Sequence, residues 1–397
     1  MPRPTGRGIG FSLLTLFVYL AANQTRMGWL YLVAATMAAV LVFSFVIPWF
    51  ATRGPTITRV VAPPNPTGPT ICEDDRVEIR LTLRAGLACY FVRVTDHCPL
   101  DAPGSQQKAF FCWRVGPQEL TLSYSVSCYK RGRHKVGPVT VESAGFFGLF
   151  HCRRLAPVFT EVRVLPWHLP AQQALALTRQ LQAADGRRAI RGSGGEVYAT
   201  REYRPLDPLR AIHWRSTARR GSLIVKDFAR LDPAALTVLL DSSAEFGTGK
   251  DTTLEYSIKA AASLAHWAAA QGWQFHLIAP GFPNPLASLP QTLDFLTRLQ
   301  VTLPAGGLPA LLHRTGWAEA LVLLSPAAAD RARLAGVRYG RKLCLRVAFT
   351  EFESNGLSTP AHAITGITTI AWPKGRPPAE IISEIITECA TSRVLWY

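Results

Sequence analysis

The chain carries none of the short motifs that mark common enzyme classes. There is no G-x-x-x-x-G-K-[ST] phosphate loop, no G-x-S-x-G nucleophile turn and no H-E-x-x-H zinc helix. The glycine-rich stretch "GSGGE" has no lysine at phosphate-loop spacing. None of the eight cysteines (Cys72, Cys89, Cys98, Cys112, Cys128, Cys152, Cys344, Cys389) stands in C-x-x-C spacing, which leaves a zinc site without support. With no nucleotide or hydrolase signature, the sequence reads as non-enzymatic, with no catalytic residue assigned. Acidic residues are scarce: 27 Asp and Glu face 43 Lys and Arg, a net charge of +16. That excess suits anionic lipid headgroups or nucleic acid and does not choose between them.

Charge is also missing from one long run. "MGWLYLVAATMAAVLVFSFVIPWF", Met27 to Phe50, holds 24 residues without a charged side chain. A bilayer span needs roughly 20 apolar residues. Trp29, Tyr31, Trp49 and Phe50 stand near its ends, as an interfacial aromatic belt requires. The shorter run Ile9–Ala22 reaches a span when extended to about 8–24. Its rival reading is a signal peptide, with Arg3 and Arg7 as the basic head and Leu20-Ala21-Ala22 as small residues for cleavage. Only "NQTR" separates the two runs, which favours a membrane hairpin over residues 1–53, with spans at about 8–24 and 27–50. Arg3, Arg7, Arg53 and Arg59 flank the hairpin outside and only Arg26 lies in its loop, so the positive-inside rule predicts both termini in the cytosol. The cysteines are then expected to be reduced.

Past a Pro- and Gly-rich exit the period changes to two. Val77, Ile79, Leu81 and Leu83 alternate with Glu78, Arg80, Thr82 and Arg84, and "ELTLSYSVSC" repeats the pattern. Alternation predicts half-buried strands. With "YFVRVTD", "GPVTVES" and "TEVRVLP" they predict a small antiparallel β-sandwich-like domain over 56–166. From 232 the order becomes strand, helix, strand: "AALTVLLDSS", "TTLEYSIKAAASLAHWAAAQG", "WQFHLIAP", "QTLDFLTRLQ", "EALVLLS", "KLCLRVAF", "ITTIAW" and "PPAEIISEIITECA". Such alternation predicts a doubly wound α/β domain over 232–397, whose ligands bind at the carboxyl ends of the strands.

Between these domains, residues 167–231 hold "GGEVYATREYRPLDPLRAIHWRSTARRGSLIVKDF". Between Gly186 and Arg230 there are 11 Lys or Arg and four Asp or Glu. The acids are interleaved with the bases, which suits Arg–carboxylate pairing and Arg stacking on Trp or Tyr more than a nucleic-acid patch. The stretch reads as a self-paired hub bracing the neighbouring modules, as a partner-recognition site, or as both; nucleic-acid binding is the lesser reading.

This segment resembles the bacterial family called domain of unknown function 58. The matching positions are Glu196, Arg201, Glu202, Tyr203, Asp207, Arg210, Ile212, Trp214, Ala218 and Arg219. "HKVGPVTVESAGFFGLF" is similar to another stretch of that family, with Gly145 and Phe146 in place of its Asp-Pro. The loop "DSSAEFGTG" resembles the D-x-S-x-S metal site of von Willebrand factor A domains: Asp241 and Ser243 match, and Glu245 replaces the second serine. Its hard oxygen donors would suit Mg²⁺. The resemblance implies a von Willebrand factor A-like fold for 232–397. It also implies a multi-pass protein of the bacterial inner membrane with cytoplasmic soluble domains, and a MoxR-type AAA+ ATPase as partner. The leading expectation is a membrane-anchored adaptor. The alternative is a metal-dependent enzyme or ligand-binding protein using Asp241, Ser243 and Glu245.

Overall fold

In the computed structural model the described residues are 2–63, 70–184, 197–202, 212–228, 235–242, 244–280, 288–302, 320–325, 343–350, 352 and 368–391. They form two compact units, Met1–Pro166 and Trp167–Tyr397.

The first unit opens with two residues of strand, β1 (Arg3–Pro4), then α1 (Gly6–Thr25) and α2 (Gly28–Arg53). Thr5 caps α1 by accepting from the Gly8 amide at 3.1 Å. Arg26 ends α1 in the left-handed region, φ 53°. Both helices are long and apolar enough to cross a membrane. Leu13, Phe17, Leu32 and Phe43 face outward from them.

Strands follow in chain order: β2 (Pro55–Ala62), β3 (Ile71–Cys72), β4 (Arg76–Ala85), β5 (Cys89–His97), β6 (Gln107–Val115), β7 (Leu120–Ser127), β8 (Gly132–Val136), β9 (Val139–Ser143), β10 (Phe150–Ala156) and β11 (Thr160–Leu165). They form sheets in the orders β2-β4-β7, β1-β10-β9-β5-β6 and β3-β11-β8. All pairings are antiparallel except β3 with β11. The period of two in β4 sends Val77, Ile79, Leu81 and Leu83 to one face, all fully buried. Leu81 and Leu83 join Val92, Val94, Cys112, Val139 and Val141 in one core. Val77 and Ile79 join Val126, Cys128, Val136, Val162 and Val164 in a second.

The helices are built into this unit. Ala51 belongs to the first core. The Thr52 hydroxyl lies 3.2 Å from Cys152 Sγ, and Arg154 Nη1 donates to the Arg53 carbonyl at 2.9 Å. Phe45 packs edge-on against Phe150 with ring centroids 5.6 Å apart. At the same open end of the hairpin β1 pairs with β10, and the Thr5 amide donates to the Leu149 carbonyl at 2.9 Å. Gly8 permits this approach, because a Cβ there would sit 2.1 Å from the Leu149 carbonyl oxygen. Gly8→Val is therefore expected to release β1 at a cost of about 1–3 kcal/mol. Hydrogen exchange at the Thr5 amide reads it: faster exchange is expected, and an unchanged rate would show that the close approach is not needed.

The second unit begins with α3 (Ala171–Ala184), then β12 (Val197–Glu202), α4 (Trp214–Arg220) and β13 (Ile224–Phe228). Next come β14 (Ala235–Leu240), the short pair β15 (Gly247–Thr248) and β16 (Asp251–Thr252), and α5 (Thr253–Gln271). β17 (Gln274–Ile278), α6 (Leu289–Arg298), β18 (Ala320–Ser325), β19 (Leu343–Thr350), β20 (Thr368–Pro373) and α7 (Pro378–Thr391) follow among the described residues. The parallel sheet runs β17-β14-β18-β19-β20. Numbered by appearance, that is the doubly wound order 2-1-3-4-5, whose switch point lies between β14 and β18. Continuous apolar runs make these strands, since both faces are covered: Leu236, Val238, Leu239 and Leu240 are all fully buried.

α3 packs on α5 and α7. The Trp267 indole donates to Thr178 Oγ1 at 3.0 Å, and the Leu169 amide donates to Ser263 Oγ at 2.9 Å. His266 stacks on His168, ring centroids 3.8 Å apart and ring planes nearly parallel. Burial, and then the His168 charge, bring the His266 pKa from 6.5 down to about 4. The unfolded chain takes a proton here below about 6.5, the folded chain only below about 4. Stability from this ring is thus present above pH 6.5 and falls as pH drops toward 4. His266→Phe should flatten the melting temperature between those pH values; a profile unchanged by the substitution would remove His266 as the cause.

Candidate functional site

Two neighbouring features in the second unit's sequence hold the candidate residues: the β12–α4–β13 module and the carboxyl end of β14. β12 and β13 pair antiparallel, with Arg201 opposite Val225 and Glu202 opposite Ile224. α4 is clipped to β13 from both sides. The His213 amide donates to the Ile224 carbonyl at 2.8 Å, and the Ile224 amide donates to Thr217 Oγ1 at 3.0 Å. His213 also caps α4, its Nδ1 accepting from the Ser216 amide at 3.1 Å. Gly221 closes the helix in the left-handed region, φ 71°, where glycine carries no Cβ penalty.

Beside this clip Ile212 and Ile224 are buried, and Ser216 and Thr217 of α4 are half-buried. Trp214 is 67% exposed, and Arg215, Ala218, Arg219 and Arg220 are exposed with it. An exposed indole and three exposed arginines on one short helix are residue types that carry much of the energy of protein interfaces. Glu196, Tyr203, Asp207 and Arg210 lie outside the described residues.

At the sheet's switch point, Asp241 follows β14 directly. Its amide donates to the Leu324 carbonyl of β18 at 2.9 Å. Asp241 is 4% exposed and Ser242 is fully buried. The Thr302 amide donates to the Ser242 carbonyl at 2.9 Å, and Ser242 Oγ donates to the Thr302 carbonyl at 3.4 Å. Glu245 is exposed, and Ser243 lies outside the described residues. Of the three predicted metal-loop residues, then, the described part supplies one buried carboxylate. Among the described residues no group of three or more His, Cys, Asp and Glu converges on one point. This part alone does not make a ligand set for Mg²⁺, which requires near-octahedral oxygen donors.

The sequence reading passed over the polar face of α5. Thr252 caps it, Oγ1 accepting from the Glu255 amide at 3.2 Å. Thr253 ties back to Phe246 through two bonds, its amide to the Phe246 carbonyl at 2.9 Å and the Phe246 amide to its Oγ1 at 3.1 Å. Glu255, Ser257 and Lys259 are all buried on the same helix. The available signal was Thr252-x-x-Glu255, the spacing of a capping box before an apolar run.

A family model described as "Protein of unknown function DUF58" matches residues 199–284, from β12 through α4, β13, β14 and α5 to β17. The chain resembles the DUF58 family. It is also 26% identical over 176 residues to the "Uncharacterized protein YeaD" of Bacillus subtilis (strain 168), covering 42% of this chain and 44% of YeaD. The chain thus spans less than half the length of that curated relative. Among solved structures, a CARDB domain from Pyrococcus furiosus, in complex with di-metal ions, aligns at 13% identity and a TM-score of 0.19, covering 28% of this chain and 94% of that one. The DUF58 match takes in both the α4 module and the Asp241 loop.

Proposed function

We propose that this DUF58-like protein is a membrane-anchored, non-enzymatic interaction protein, and that it works with a MoxR-type AAA+ ATPase. The observation that carries the reading is Trp214, 67% exposed on a short helix that is clipped to its sheet and also carries exposed Arg215, Arg219 and Arg220. A large exposed apolar ring held rigidly, at low entropic cost, is suited to a partner protein. The family resemblance supplies the class of partner.

Residues 232–397 act in this reading as a von Willebrand factor A-like domain. A central β14 in a parallel doubly wound sheet, with Asp241 at its carboxyl end, supports that reading. α1 and α2 cross the inner membrane of a bacterium, with the soluble units in the cytoplasm. Support comes from the hairpin's two open ends: β1 pairs into the sandwich at one and α2 continues into β2 at the other. Arg3, Arg7 and Arg53 lie at that end and Arg26 at the closed one. Arg59 is a core residue and not a flanking charge. Burial raises the Cys72 and Cys128 thiols to about 11 and about 12, which makes them poor nucleophiles.

Affinity capture from detergent extracts tests the partnership: a MoxR-type ATPase should co-purify, and its repeated absence counts against it. The buried Asp241 favours the alternative, a metal-dependent activity of the Asp241 loop, in one respect only. Calorimetry with Mg²⁺ decides it, since binding abolished by Asp241→Ala would support that alternative.

A further inference from the structure

One face of the sandwich sheet is aromatic where it meets the helices and polar where it leaves them. Leu87, Phe111, Trp113, Phe146 and Phe147 are each more than half exposed. Phe91 draws these rings together, 4.4 Å from Trp113 and 4.5 Å from Phe146 between centroids. Its φ of 55° is rare for a bulky residue and strained. Along the same strands, away from this cluster, His97 pairs with Gln107. The aromatic cluster lies at one end of the sheet.

That end is level with the membrane boundary. α1 has 20 residues, about 30 Å at 1.5 Å per residue, and Gly28 to Ile47 covers a similar length. The hydrocarbon core is about 30 Å thick. With the Arg26 turn at one surface, the other surface falls at Gly6 and Ile47. The aromatic loop sits at that level on both helices. Thr5 Oγ1 donates to the Gly148 carbonyl at 2.8 Å, and a Cβ on Gly145 would lie 3.1 Å from Pro48 and 3.9 Å from Ile47. At the neighbouring strand start, Cys89 Sγ lies 3.7 Å from the Phe50 carbonyl.

We propose that the cluster of Leu87, Phe91, Phe111, Trp113, Phe146 and Phe147 is a lipid-binding wedge that lies in the membrane interface beside α1 and α2. The inference rests on the reading of α1 and α2 as membrane spans. Aromatic rings partition to this interface, and a contiguous exposed patch of them on a water-facing domain is otherwise unfavourable. The wedge fixes the sandwich's tilt against the bilayer, giving it a third point of attachment beside the two helices.

Photocrosslinking in the full chain, reconstituted in phosphatidylcholine–phosphatidylglycerol vesicles, tests it. p-Benzoylphenylalanine is placed singly at Phe147, Phe111, Leu14 and Glu161, the last on an exposed part of β11. Phospholipid adducts are expected at Phe147 and Phe111 at yields near that of Leu14 and roughly tenfold above Glu161, as for side chains in an interfacial belt. Lipid adducts at Leu14 with only protein adducts, or none, at Phe147 and Phe111 would overturn the wedge and leave the spanning helices standing. No lipid adduct at Leu14 would overturn the spans and the wedge with them.

Discussion

Asp96→Ala is expected to destabilise the first unit by about 3–5 kcal/mol, a large share of a domain's usual 5–15 kcal/mol. The Asp96 carboxylate is fully buried and receives Arg59 through both of its oxygens, with Arg59 Nε at 3.2 Å from Oδ2. Tyr124 donates to Oδ2 at 2.6 Å. Arg59 Nη1 donates to the Val136 and Val158 carbonyls at 2.8 and 2.9 Å. The Arg59–Asp96 pair thus joins β2, β5, β7 and the end of β8. Burial, and then the bond to Asp96, push the Tyr124 hydroxyl well above its ordinary pKa, so it serves as a donor. Removing the carboxylate leaves a guanidinium in the core with half its partners, which costs far more than the pair contributes. Hydrogen exchange resolved by segment checks this: β2, β5 and β7 should lose protection while β14 and β18 keep theirs. Arg59→Met combined with Asp96→Leu should recover much of the loss. Unchanged protection in Asp96→Ala would show that the cluster is not a structural tie.

The second large effect lies in the other unit. Trp267 is fully buried on α5, packs edge-on against Trp273 at 4.8 Å and donates to Thr178 of α3. Trp267→Ala removes the ring and opens a cavity, at an expected cost of about 3–5 kcal/mol. Protection of α3 should fall first, because its Thr178 bond and much of its packing go together. Thr178→Val should cost less, about 1–3 kcal/mol, since it leaves only the indole N–H without its acceptor. If Trp267→Ala left denaturant midpoints unchanged, α3 would be held by other contacts.

These two residues show what the sequence could and could not reveal. The parallel strands were legible because each is a continuous apolar run, and β4 because Val77 to Leu83 alternate cleanly. β2 was read only as an extended exit: the residue it buries in mid-strand is Arg59, and hydrophobic periodicity has no entry for a core arginine. β6 was missed because Phe111 and Trp113 are exposed while Cys112 is buried, which inverts the usual pattern. Two-residue β1 leaves no signal, although it fixes where the hairpin's first end sits. α3 lay inside a segment whose charge drew attention to its motif instead. For the candidate site, composition pointed to the Trp214 region, yet only the clip between α4 and β13 showed which way the indole faces. Asp241 was legible as the residue ending an apolar run, while the opposite exposures of Asp241 and Glu245 depend on how the loop leaves β14.

The proposed function turns on the face that Trp214 presents, and paired affinity capture tests it most directly. Wild-type protein and Trp214→Ala are each purified from membranes under matched conditions, with hydrogen exchange of β12 and β13 confirming that the module stays folded. The account predicts that a MoxR-type AAA+ ATPase accompanies the wild type and is lost, by tenfold or more for a hot-spot residue costing about 2 kcal/mol, from the variant. Equal recovery of that ATPase with both proteins would contradict it.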